Sequence, residues 1–330
     1  MNDETPRRYR GSLLERAAEQ YGYLRPATPP MVPIRTAEDE PLTLTELAPE
    51  LAPIEDTPAV EAMPVVEIAP PQPALRPAPR TGRRHAVVDR VALREGGMLV
   101  PGDRVTALAE EFRMVKRQLL LTARTVSANG SAKAADHARM ILVCSAQPNE
   151  GKTFCAINLA LSLAAEKDME ILLVDADFAK PDILDRLGVA EGPGLLDALA
   201  GAVDDVEACI IETDVPQLSV LPAGTRTNSD TELLASERAR AILDGLANAN
   251  PRRIVIFDSP PALAASPAAV LAGHVGQVML VVRADSTSES DLREAVAVLD
   301  GCEHVQLLLN SVSFQPGGRR FGNYYGEAGE

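Results

Sequence analysis

A Gly151-Lys152-Thr153 triplet sits between an apolar run, Ile141-Leu-Val-Cys144, and a helical pattern, Phe154-Cys-Ala-Ile-Asn-Leu-Ala160. A strand, a tight loop and a helix form the context in which such a triplet cradles phosphate. The free N–H groups of a helix N-terminus point at the anion, and the helix dipole favours negative charge there. Lys152 can reach the β- and γ-phosphates as a flexible point charge, and the Thr153 hydroxyl can sit on Mg²⁺. Ala146 stands where the full motif has its first Gly; it is small enough for the loop to close. The expected nucleotide contacts are Ala146, Pro148, Asn149, Glu150, Gly151, Lys152, Thr153 and Phe154. The stretch implies a nucleoside triphosphate site on an α/β fold.

The chain downstream agrees. Apolar strand-like runs at 140–144, 171–174, 218–221, 254–257, 278–282 and 305–309 alternate with helical patterns near 154–166, 195–200, 231–248, 266–272 and 288–300. Continuous apolar strands alternating with helices mean a mostly parallel sheet covered on both faces, as in a P-loop NTPase. Upstream, residues 107–121 read as a helix, with Leu108, Phe112, Val115 and Leu119 on one face, and Asn129-Gly130-Ser131 marks a loop.

Three carboxylates fall at the ends of these strands. Ile171-Leu-Leu-Val-Asp175-Ala-Asp177 ends in two acids on the same side of the departing chain. Both can face a ligand beyond the carboxyl edge of the sheet. One can order Mg²⁺ or its waters and the other can accept a proton. Ile254-Val-Ile-Phe-Asp258 repeats the design as a Walker B pattern, and Pro260 and Pro261 stop the strand. Asn310 ends the strand 305–309 and could read a base through its amide; Arg283 could stack on one. A dinucleotide fold would need G-x-G-x-x-G after the first strand, and that is absent.

Composition limits the rest. A net charge of −15 argues against a nucleic-acid binder. Cys144, Cys155, Cys209 and Cys302 show no metal-ligand spacing and read as buried, reduced thiols. No secretory signal is expected at Met1-Asn-Asp-Glu, and no apolar run approaches the roughly 20 residues of a spanning helix. More than half of the 26 prolines lie before residue 80. Such a segment buries too little apolar surface to offset its ordering entropy, so residues 30–85 are expected to be a disordered linker. Before it, Ser12-Leu-Leu-Glu15 is a capping box that opens a short helical island within 1–29. The expected globular domain is 86–315, followed by a Gly- and Tyr-bearing tail at 316–330.

Taken in order, these motifs resemble the bacterial tyrosine kinases of exopolysaccharide synthesis. They are Ala146–Thr153, Val174-Asp175-Ala-Asp177, Phe257-Asp258-Ser-Pro-Pro261, Glu110-Glu-Phe-Arg113-Met-Val-Lys116 and Phe321-Gly-Asn-Tyr-Tyr-Gly326. The match is similar above all to the exosortase-associated autokinase branch, and Ser12–Ala17 also looks like that branch's start. The resemblance implies ATP and Mg²⁺ as cofactors. Lys152 and Thr153 would bind phosphate and metal, Asp177 and Asp258 would support the metal, and Asp175 would take the proton from a tyrosine hydroxyl. Glu110, Arg113 and Lys116 would mediate ring-like self-association, with Lys116 standing where the family motif ends in Arg. Tyr324 and Tyr325 in the tail would be the phosphate acceptors. The resemblance also implies a cytoplasmic protein recruited to the inner membrane by a polysaccharide copolymerase, a chain-length protein that acts as activator.

Two other readings use the same residues. A partner-switching ATPase of the MinD/ParA kind carries a second Lys five residues before the conserved one, where this chain has Gln147. A nucleotide-binding scaffold would keep the site but not the transfer of phosphate to Tyr324 and Tyr325.

Overall fold

The computed structural model describes residues 83–312. The helical island, the linker as far as residue 82, and the tail with Tyr324 and Tyr325 lie outside the described residues. In chain order the elements are β1 (Arg84–Ala86), α1 (Arg90–Glu95), α2 (Ala107–Asn129), α3 (Ala132–His137), β2 (Met140–Ser145), α4 (Lys152–Ala164) and β3 (Glu170–Asp175). Then come α5 (Ile183–Leu187), α6 (Leu195–Leu199), a 3-10 turn (Val206–Cys209), β4 (Ile211–Thr213), β5 (Leu218–Leu221), α7 (Asp230–Leu234) and α8 (Glu237–Asn248). The chain closes with β6 (Arg253–Asp258), α9 (Pro267–Ala272), β7 (Gln277–Arg283), α10 (Glu289–Val298) and β8 (Val305–Asn310).

The strands form one eight-stranded sheet in the order β1-β4-β5-β3-β6-β2-β7-β8. Every pairing from β5 across to β8 is parallel. β4 runs antiparallel to β5, and β1 pairs parallel with β4. Alternation along each strand divides the core into two layers. Leu142, Leu172, Val255, Phe257 and Leu280 pack with α6, α8 and α9 on one face. Ile141, Val143, Leu173, Ile256 and Val281 pack with α2, α4 and α5 on the other. A parallel sheet covered on both faces requires this unbroken apolar strand composition. Among the described residues, no helix is long and apolar enough to cross a membrane.

Several elements differ from the expectation. β1 takes in Arg84 and His85, which the sequence places in the linker. Its three residues carry no apolar alternation; pairing with β4 and the ion pairs of Arg83 with Glu207 and Glu212 hold it. α2 continues to Asn129, since no breaker intervenes before Gly130. The helical pattern at 231–248 is two helices. Ser236 interrupts it and caps α8, its hydroxyl accepting from the Ala239 N–H at 3.1 Å.

The amino end of β6 carries a buried ionic network. The Arg253 side chain is wholly buried; its Nε and one terminal nitrogen donate to Glu170 at 2.8 and 2.6 Å. Its terminal nitrogens also donate to both oxygens of Glu207, which Arg83 reaches as well. Burial would lower the Arg253 pKa, but the hydrogen bond to Glu207 and the charges of Glu170 and Glu207 carry it above its ordinary value.

Candidate active site

Strand register assembles the site. Asp258, the last residue of β6, lies opposite Val143 of β2 on one side and Asp175 of β3 on the other. Two strand-end carboxylates therefore stand side by side where β2 opens into the phosphate loop. The loop closes through two left-handed residues, Asn149 at φ 64° and Gly151 at φ 95°. At Gly151 the φ of 95° strains any residue with a Cβ, and that Cβ would lie 2.2 Å from the Asn310 amide nitrogen and displace it, so the position favours Gly. Gly151 also caps α4 with no side-chain bond, which leaves the first amides of that helix for an anion.

Lys152, at the start of α4, bonds Asp177 at 2.6 Å. Burial would lower its pKa, but the charge of Asp258, the bond to Asp177 and the charge of Asp175 raise it. Asp258 is buried, and neither of its oxygens has a hydrogen-bond partner within the described residues. Burial pushes its carboxyl up to about 7, against the opposing charge of Lys152 and the nearby Thr153 hydroxyl. An orphaned, buried carboxylate beside the buried Thr153 fits a divalent cation. Among the described residues no three acidic, imidazole or thiol groups converge to cage a metal by themselves.

Asp175 is tied differently. Its Oδ2 accepts from the Asp182 and Ile183 amides, both at 3.1 Å, and caps the entry to α5; its Oδ1 takes one long bond of 3.3 Å from the Asp177 amide. Burial outweighs these bonds and pushes the carboxyl up to about 6. At neutral pH it is ionised yet more basic than an ordinary Asp.

The remaining expected residues divide. Phe154 and Asn310 line one groove of about 330 Å³ beside the loop. The Asn310 amide nitrogen, however, donates to the Glu150 carbonyl at 2.9 Å, and Arg283 reaches Asp285 at 3.1 Å and the Asn149 carbonyl at 3.4 Å. In this structure both side chains brace the phosphate loop. On α2, Glu110 and Arg113 pair with each other on a partly exposed face. Lys116 does not share that face: it bonds Glu166 at 2.6 Å and the Ser162 carbonyl at 2.9 Å, pinning α2 to the end of α4. The four cysteines are buried, and burial pushes the Cys155 thiol up to about 12. Thr287, which bonds Glu150, has no sequence signal of its own; next to Ser288, it reads only as part of a helix cap.

The strained carboxylate gives a stability prediction. The folded-state value of Asp258, about 7, lies above its unfolded value near 3.8. Folding therefore loses stability as pH rises between the two. Without metal or nucleotide, Asp258→Asn should stabilise the domain by about 1–3 kcal/mol above pH 7. That gain should shrink on acidification and be gone below about pH 4. Thermal melts across this range in EDTA check it; a lower melting temperature for the variant at pH 8 would contradict it.

Residues 138–298 match the family model described as AAA domain. A putative tyrosine-protein kinase EpsB of Ralstonia solanacearum is 30% identical over 175 residues, covering 53% of this chain and 22% of that protein. Tyrosine-protein kinase wzc of Salmonella typhimurium is 29% identical over 189 residues, covering 56% of this chain and 26% of that one. The chain thus spans about a quarter of the length of these curated relatives. Among solved structures, the BceF tyrosine kinase domain superposes with a TM-score of 0.50 at 29% identity, covering 60% of this chain and 76% of its own. The kinase domain of the Escherichia coli tyrosine kinase ETK, at 22% identity and a TM-score of 0.54, shares the fold over 70% of this chain and 92% of its own. Over the nucleotide-site region this chain is thus similar to bacterial tyrosine kinases, among curated relatives and solved structures alike.

Proposed function

We propose that this chain is an ATP-dependent protein-tyrosine autokinase of a polysaccharide export system, in the exosortase-associated branch. The observation that carries the reading is the strand register that sets Asp175 beside Asp258, with Lys152 held on Asp177 at the phosphate loop. Lys152 leaves Asp177 for the terminal phosphates of ATP. Thr153, Asp258 and Asp177 would hold Mg²⁺, which when bound would neutralise charge on those phosphates. Asp175 takes the tyrosine O–H proton on Oδ1, the oxygen with only one long hydrogen bond. The phenolic oxygen then bonds the γ-phosphorus as the bond to the bridging oxygen breaks, and ADP leaves.

Tyr324 and Tyr325 serve as acceptors, reached from a neighbouring copy in a ring-like oligomer built on the Glu110–Arg113 face. A membrane copolymerase with a cytoplasmic segment supplies activation and brings the chain to the inner face of the membrane. Incubation with ATP and Mg²⁺, followed by mass-spectrometric mapping, tests this. Phosphate on Tyr324 or Tyr325 is expected, and Tyr324→Phe/Tyr325→Phe should lose most phosphotyrosine. ATP consumed with no phosphotyrosine, even with the activator present, would instead favour a switch ATPase.

A further inference from the structure

Glu150 is an acid inside an anion-binding loop, where its charge repels the ligand; the hydrogen bonds explain its presence. Its side chain is 3% exposed, and its Oε2 accepts from the Gln147 amide at 2.9 Å. Its Oε1 accepts from the Thr287 hydroxyl. That hydroxyl in turn accepts from the Arg283 amide at 2.9 Å, across the tight turn that follows β7. The Glu150 carbonyl takes the Asn310 amide, and the Asn149 carbonyl takes the Arg283 guanidinium. Residues 149 and 150, directly before Gly151-Lys152-Thr153, are thus held from the carboxyl ends of β7 and β8.

We infer that Thr287 is a positioning residue for nucleotide phosphate, acting through Glu150 on the phosphate loop. The inference rests on reading that loop as a phosphate cradle. Without the Thr287 hydroxyl, a buried carboxylate oxygen and the Arg283 amide both lose their partner. Glu150 then turns toward water and releases Gln147. The loop loses the shape that aims its amides, although no group touching the phosphate has changed. The turn between β7 and α10 thereby becomes a handle on nucleotide affinity.

The test is a fluorescence titration of the full chain with a fluorescent ADP analogue and Mg²⁺. Thr287→Val should weaken binding about ten-fold, the loss of one hydrogen bond to a charged group. Thr287→Ser, which restores the hydroxyl, should bind within about two-fold of wild type, a rescue that loss of packing alone does not predict. Wild-type affinity in Thr287→Val would overturn the inference while leaving the phosphate-loop reading intact. A wild-type chain that binds no nucleotide would overturn both. Should circular dichroism find Thr287→Val unfolded, Thr287→Ala removes the same hydroxyl and leaves the Glu150 charge in place. It should show the same ten-fold loss, and unchanged affinity there would equally overturn the inference.

Discussion

Lys152→Met should lower phosphotyrosine formation by about 10²–10³-fold, the usual cost of removing one charge aimed at a developing anion. Lys152 does two jobs in this site. With nucleotide bound it faces phosphate. Without it, Lys152 is the counter-charge for Asp258, Asp177 and Asp175, which together hold its pKa above the ordinary value against the opposing effect of burial. Methionine keeps the unbranched apolar stem, one atom shorter, and none of the charge. The carboxylates would then hold protons to higher pH, and the folded state would be strained wherever they are forced to ionise. The variant should melt below wild type at pH 8 in EDTA, with the deficit narrowing toward pH 5 as the acids take up protons. Rates of phosphotyrosine formation and paired melting curves separate the two jobs. Phosphotyrosine formed at the wild-type rate would remove Lys152 from the phosphate site.

The residues that were legible in the sequence are those whose role is set locally. Gly151, Lys152 and Thr153 depend on a strand and a helix within a few residues of themselves. Asp175 and Asp258 are announced by the apolar runs they terminate, and the sheet places the two opposite each other as strand ends should be. What escaped depends on contacts distant in sequence. Thr287 meets Glu150 across 137 residues, and no periodicity marks it. Lys116 reads as one of three charges on a helix face, yet the six steps from Glu110 turn the helix by about 600°, which sets Lys116 about 120° around from Glu110. The contact with Glu166 then draws its end inward. Asn310 and Arg283 sit at the strand ends where a base reader is expected, and each also donates a bond to the loop backbone, at Glu150 and Asn149, that no local pattern announces. β1 and β4 are too short for a period-two pattern and exist through pairing and ion pairs.

Strand β6 holds its stabilising and its chemical residues at opposite ends. Arg253→Ala should destabilise the domain by about 3 kcal/mol, toward the lower end of what breaking a buried ion pair costs. The lower end is expected because its partners Glu170 and Glu207 keep 26% and 20% of their side chains exposed and can rehydrate in part. The loss is still large. Arg253 is itself wholly buried, it links β6 to Glu170 of β3 and to the 3-10 turn at Glu207, and it also donates to the Leu246 carbonyl at 3.2 Å. For a domain of this size that is a fall of about 6–12 °C in melting temperature. Arg253→Met combined with Glu170→Gln should recover part of it, since Glu170 then carries no charge opposite the lost guanidinium, while Glu207 keeps its ion pair with Arg83. Nucleotide affinity of the folded fraction should not change, because five residues of strand, about 17 Å, separate Arg253 from Asp258. Thermal melts read the first effect and nucleotide titration below the melting temperature reads the second. A variant that melts like wild type would show that the Glu170–Arg253–Glu207 bridge contributes nothing net to stability. A variant that melts early and also binds nucleotide poorly would show that the two ends of β6 are coupled through the strand.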